Sequence, residues 1–359
     1  MSSKNNIQRQ NESIKRSSIM NENNEIKYYL LKDFKSQVSQ FDFLSQKDGI
    51  NTNFGILDDV VTLMNKNNKK IYYLKIIEKK NIINKSFQNV LNNIYKLNNS
   101  NNNLNIYDYI INLETQWENN EKLFLVFDAV KKYSVLDNLI KNNSDIITEE
   151  NILVIYRHIL ESVNILHENQ IYGCNFNLDS FIFDLESKTI KLTDLGFSQI
   201  FKSQKNINDN KLKNGLEFNE YTPPEIIDKM NDSFNTNIGV IKDYSYDIWK
   251  LGILFYKIAS FGKSPFGDAK DEELKKSISD RNLSFPGLNK ISPKIIQIID
   301  KMLQRDPEKR YTIKKLLGLQ LIQMSYRIPS LIIINYKNEN KEINMEMVNK
   351  KKIKLKMLN

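Results

Sequence analysis

The alternation of apolar and polar positions divides the chain into two unlike halves. Between about 36 and 128 the apolar residues come in short runs. VVTLMNKNNKKIYYLKII (60–77) sets two β-rich runs around a polar turn, which predicts a hairpin. KLFLVFDAV (122–130) reads as a buried strand. KSFQNVLNNIYKL (85–97) instead spaces its apolar residues by three and four, which predicts an amphipathic helix. From about 148 the helical period takes over. NILVIYRHILESVNILHEN, DIWKLGILFYKIAS and PKIIQIIDKMLQ read as helices, and FIFD and TIKLTDLGF as short strands near a loop. The expected architecture is α+β, with a small β-rich lobe (about 36–128) followed by a larger helical lobe (about 129–325). Residues 1–26 are polar and aperiodic and are expected to be a disordered tail. Residues 326–359 are expected to be a basic tail.

Composition narrows the chemistry. There is one cysteine, Cys174, and two histidines, His158 and His167, so neither an internal disulfide nor a His/Cys metal site is expected. Most of the net charge of +9 falls in the two tails, and a nearly neutral body does not suit nucleic acid. The terminal KKKIKLK could touch an anionic surface, although a solvated tail is the plainer reading. No run reaches the roughly 18 apolar residues of a membrane span, and the N-terminus lacks an apolar leader. The expected location is cytoplasmic or nuclear. Asparagine-rich runs such as NNSNNNLN (98–105) read as loop insertions.

A series of motifs then appears in a specific order. KLTDLGFS carries Asp194, Leu195 and Gly196. YTPPEII ends on Glu225, YDIWKLGILFYKI carries Asp247, Trp249 and Gly252, and MLQRDPEKRYTIKKLL carries Arg310. In order and spacing these segments resemble the Asp-Phe-Gly, Ala-Pro-Glu, Asp-x-Trp-x-x-Gly and closing-helix segments of eukaryotic protein kinases, over about residues 40–320. The resemblance implies a two-lobed kinase-like fold, with Glu225 and Arg310 paired inside the large lobe and Asp247, Trp249 and Gly252 serving its architecture.

The same resemblance locates the reaction machinery, and there the residues change. IYGCNFNLDSFIF (171–183) aligns without a gap on the catalytic loop. Gly173 and Cys174 replace His and Arg, Asn175 replaces the catalytic Asp, Asn177 replaces Lys, and Ser180 replaces the metal-binding Asn. An amide at 175 carries no charge and cannot act as a base near neutral pH. Lys75 takes the place of the phosphate lysine. Residues 73 and 75 of a strand face the same way, so Tyr73 should point into the cleft where the family has a small residue against the adenine. Of the glycine-rich loop only Gly55 survives, with Asn53, Asp58 and Asp59 around it, and aspartates there would repel a polyanion; a shifted alignment on Gly49 and Gly55 requires an inserted loop. The helix 85–97 has no acidic residue to hold Lys75. Phe218 replaces a threonine of the substrate-docking turn.

If a nucleotide binds, the resemblance assigns its contacts to Gly55, Val60, Tyr73, Lys75, Phe127, Asp128 and Val130, with Asp194 as the available Mg²⁺ ligand. The expected function is a pseudokinase, a kinase-like scaffold or allosteric regulator with a protein partner and no cofactor. Two alternatives stand beside it. One is a divergent active Ser/Thr kinase working with ATP, Mg²⁺, Lys75 and Asp194, since a loose transition state tolerates the loss of a base. The other is a nucleotide or small-ligand sensor with a reshaped cleft, in which Cys174 could be a reactive thiol, although a small buried residue is the plainer reading of a lone cysteine.

Overall fold

The computed structural model describes residues 39–44, 60–82, positions 91, 92, 94 and 97, and residues 106–142, 148–174, 176–195, 218–231, 244–281, 283 and 291–325. The expected tails, Asn53, Gly55, Asp58 and Asp59 of the expected glycine-rich loop, the 98–105 run, Asn175, Gly196 and residues 232–243 lie outside these residues.

The small lobe is built on five antiparallel strands: β1 (Phe41–Leu44), β2 (Val61–Asn65), β3 (Ile71–Glu78), β4 (Leu113–Glu118) and β5 (Lys122–Asp128). Their order is β1-β2-β3-β5-β4. The hairpin read from the sequence is β2–β3, in register from Val61↔Leu74 to Met64↔Ile71. Its turn shows what asparagine does there. Asn65 Oδ1 accepts from the N–H groups of Asn67 (2.9 Å) and Asn68 (3.4 Å), so the side chain completes the turn. Lys69 closes it at φ 60°, donating its N–H to the Asn65 carbonyl (2.9 Å).

Strand alternation separates two apolar layers. Leu63, Tyr72, Leu74, Phe124 and Val126 share one face with Phe41. Tyr73, Leu125 and Phe127 lie on the other, in the main core with Leu91, Ile94 and Leu97 of the helical positions. The sheet curls strongly. Phe41 and Trp117 stand on opposite edge strands, yet their rings are 6.4 Å apart.

The large lobe begins with β6 (Tyr133–Val135), which joins β7 (Phe181–Asp184) and β8 (Thr189–Leu192) in a three-stranded sheet. The described helices are α1 (Leu136–Asn142), α2 (Glu149–Glu168), α3 (Pro224–Asn231), α4 (Tyr244–Ala259), α5 (Asp271–Ser279), α6 (Pro293–Met302), α7 (Ile313–Leu317) and α8 (Gln320–Gln323). Thr148 starts α2 by accepting from the Asn151 N–H, with Glu149 and Glu150 in the positive first turn. Gln170, at φ 59°, turns the chain away from its end.

Helix α4 is buried nearly all round, which suits a helix at the centre of a lobe. Gly252 packs closely on it: a Cβ there would lie 2.6 Å from Leu303 Cδ2, so Leu303 would have to shift. On another face the rings of Tyr156 and Phe255 stack at 3.6 Å, tying α2 to α4. Arg310, with a fully buried side chain, donates to Glu225 through Nη1 (2.8 Å) and Nη2 (2.6 Å) and lies 5.1 Å from the Trp249 ring centroid. The pair expected from the sequence is therefore formed and bidentate. The lobes also share backbone bonds. Leu192 N–H donates to Tyr109 O (2.8 Å), and Ile111 N–H to Leu192 O (3.0 Å). No described helix is long and apolar enough to cross a membrane.

Candidate functional site

The kinase resemblance places the candidate cleft against β3 and the segment where β5 passes into β6. Strand β3 pairs with β5 from Tyr72↔Asp128 to Glu78↔Lys122, which sets Tyr73 opposite Phe127 and Lys75 opposite Leu125. Tyr73 and Lys75 thus share a face, as strand alternation requires. Tyr73 is only 4% exposed, and its hydroxyl donates to the Val130 carbonyl (3.3 Å). Burial pushes its phenol up to about 12, so it stays a neutral donor at any ordinary pH. Tyr133, close by on β6, is raised above the ordinary tyrosine range, mainly by burial and then by Tyr73. Phe127 is fully buried, Val60 nearly so, and Lys75, Asp128 and Val130 are half-buried. The Asp128 carboxylate is held by Lys70 Nζ at 2.8 Å, and Asn112 Nδ2 donates to it at 3.2 Å.

The segment aligned on the family's catalytic loop follows α2. Gly173 sits at φ 76°, in the left-handed region that costs a side chain strain, and its N–H donates to Asp247 Oδ2 (2.9 Å). His167 Nε2 lies 3.0 Å from the same oxygen. Asp247 of α4 therefore anchors the loop from below, and His167 is one of the anchor's partners, which accounts for it structurally. Cys174 is completely buried, which bears out the plainer reading of a small buried residue and goes against a reactive thiol, because a thiol must be reached to react. Its carbonyl accepts from Lys250 Nζ (3.1 Å).

Asn177 and Ser180 bind each other in a reciprocal cap around the short turn Leu178–Ser180. Ser180 N–H donates to Asn177 Oδ1 (2.9 Å), Ser180 Oγ donates to the same oxygen (3.0 Å), and Asn177 N–H donates to Ser180 Oγ (3.3 Å). The residue at the expected metal-ligand position thus has its hydroxyl proton and one lone pair engaged inside the loop. Asp179 in that turn is half-buried, and its carboxyl is raised by burial and then by the charge of Asp137. The loop is joined to the next segment through Thr193, whose N–H (2.9 Å) and Oγ1 (3.0 Å) both donate to the Ser180 carbonyl. Asp194 follows directly and is buried, and Leu195 enters the main core. In the docking turn, Phe218 is half-buried with Lys275 Nζ 5.5 Å above its ring. No group of three or more metal-ligating side chains occurs among the described residues.

A two-lobed fold with this segment order can be compared directly with known proteins. The family described as protein kinase domain matches residues 54–322. The chain belongs to that family. This protein kinase domain is 24% identical over 240 residues to the human SNF-related serine/threonine-protein kinase, covering 65% of this chain and 29% of that one. It is 27% identical over 213 residues to the mouse phosphorylase b kinase gamma catalytic chain, liver/testis isoform, covering 59% and 49%. It is 26% identical over 220 residues to a probable myosin light chain kinase of Dictyostelium discoideum, covering 60% and 41%. The chain thus spans between about three-tenths and one-half of the length of these curated relatives.

Within this kinase domain the structure brings together Tyr73 with Val130, Gly173 with Asp247, Asn177 with Ser180, and Glu225 with Arg310. Sequence reasoning did not single out Lys250. It places a buried ammonium on the backbone of residue 174, where the family's arginine is missing, and lies 4.5 Å from the Tyr246 ring centroid. The available signal was a lysine inside the otherwise apolar run of α4. Lys70 was also missed, because a surface lysine in a polar turn has no local mark of its partner.

Proposed function

We propose that this kinase-fold chain does not transfer phosphate and acts as a binding module, a scaffold or allosteric partner of another protein. One observation carries this reading: the buried tyrosine ring of β3, on the face it shares with Lys75, has its hydroxyl on the Val130 carbonyl. An adenine placed against that segment by analogy with the family would compete with the ring for volume and with the hydroxyl for the acceptor.

The catalytic loop supports the same reading. Residue 175 offers an amide, which cannot take the proton of an attacking hydroxyl. Ser180 has its hydroxyl engaged by Asn177. Phosphoryl transfer relies on positioned phosphates, metal ions and a group to orient the nucleophile. A donor set of Asp194 with an internally bonded serine does not suit a Mg²⁺–nucleotide complex, so no cofactor is required by this reading. The proposed partner is a protein in the cytosol or nucleus.

The test is incubation of the purified chain with radiolabelled ATP and Mg²⁺, alone and with a mixed peptide library. No label should enter either the protein or a peptide. Labelling that disappears in Asp194→Asn would overturn the proposal and establish an active divergent kinase.

A further inference from the structure

We infer that Tyr73 is the cleft-side part of a splint that locks the segment joining the two lobes and sets the angle between them without a ligand. Kinase-fold lobes close by bending at a few connecting residues, and such motion requires backbone freedom there. In this chain the connection runs from Asp128, the last residue of β5, to Tyr133, the first of β6.

Three successive residues of that connection are tied to the start of β3. The Asp128 carboxylate takes Lys70 Nζ at 2.8 Å. Ala129 N–H donates to the Ile71 carbonyl (3.1 Å). The Val130 carbonyl accepts from the Tyr73 hydroxyl (3.3 Å). Asp128 also donates its own N–H to Asn112 O (3.0 Å) and accepts from Asn112 Nδ2, which joins it to the lead-in of β4.

The other end belongs to the large lobe. The Lys132 carbonyl accepts from Leu185 N–H (2.9 Å), and Tyr133, Ser134 and Val135 pair with Asp184, Phe183 and Ile182 of β7. Residues 128–130 therefore move with the small lobe and residues 132–135 with the large one.

The three ties differ in strength. Lys70 is close to half exposed, and salt and water weaken such a pair. The Ala129 bond continues the strand pairing and leaves the following residue able to swing. The Tyr73 bond is the one that reaches furthest along the connection, and it comes from a ring that is itself fixed by burial. It is therefore the tie whose loss returns residue 130 to the flexible part. This inference concerns lobe geometry and stands or falls independently of whether phosphate is transferred.

The experiment measures the distance between spin labels on Asn120→Cys, in the exposed β4–β5 turn, and Lys276→Cys, on exposed α5, in the full chain. Cys174 is buried and should not label. The splinted chain should give one narrow interlobe distance. Tyr73→Phe keeps the ring and removes only the hydroxyl, so it should fold and give a broadened distribution or a second distance. Ile258→Val, a core change in the large lobe, serves as the stability control and should leave the narrow distance intact. A Tyr73→Phe distribution superimposable on the parent overturns the inference, and so does equal broadening in Ile258→Val.

Discussion

Tyr73→Ala separates the two consequences of the buried phenol. The ring is 4% exposed and packs in the main core, so its removal leaves an apolar void. Large-to-small aromatic changes in cores cost about 3–5 kcal/mol. The hydroxyl contributes a further ~1 kcal/mol through its bond to Val130, which the substitution also removes. A loss of about 5 kcal/mol is therefore expected in urea unfolding, against about 1 kcal/mol for Tyr73→Phe. The same void is the one an adenine would need. Adenosine should not shift the unfolding midpoint of the parent chain. It should stabilise Tyr73→Ala by linkage, by about 2.7 kcal/mol at a hundredfold excess over its dissociation constant. Two results refute the reasoning. One is an adenosine-dependent shift of equal size in the parent chain. The other is a Tyr73→Ala chain that loses under ~1 kcal/mol, which would mean that the ring fills nothing.

Three further outcomes are expected. Burial, and after it the charge of Arg157, lowers His158 from 6.5 to about 4, and its Nδ1 accepts from the Ile190 N–H at 3.2 Å. The neutral form is favoured in the folded state, so its contribution is complete above pH 6.5 and is lost as pH falls toward 4. At ~1.4 kcal/mol per pH unit that loss is about 3 kcal/mol, and it should be absent from the pH–stability curve of His158→Gln. Gly252→Val should destabilise the large lobe by about 1–3 kcal/mol or more through overpacking against Leu303, read by calorimetry. Breaking the buried pair should cost about 3–5 kcal/mol in chemical unfolding. Glu225→Met should cost more than Arg310→Met, because it strands a fully buried guanidinium, whereas the glutamate side chain is 24% exposed.

Much of the site was legible because strand and motif arithmetic are local. The alternation in IYYLK put Tyr73 and Lys75 on one face, and that is where they stand. Apolar spacing placed Leu91, Ile94 and Leu97 in the core. Gap-free alignment named Asn177 and Ser180, but as two independent losses. In the fold they form one reciprocal cap, which depends on backbone angles that the alignment does not carry. The accessibility of Cys174 was equally unreadable, since it depends on how the loop sits above α4. The same holds for Lys250, whose partner is a carbonyl on a different element, 76 positions away in the chain.

What the amino-acid order determined alone was the inventory: an α+β kinase-like chain, an uncharged residue at 175, and a bulky phenol on the cleft face of β3. These follow from side-chain chemistry and from the period of a strand, both of which are properties of neighbouring residues. Only the tertiary structure decided where the phenol's hydroxyl goes. Residues 73 and 130 are brought together by the β3–β5 pairing and the turn beyond it, and a hydrogen bond between them depends on that long-range register to within a few tenths of an ångström.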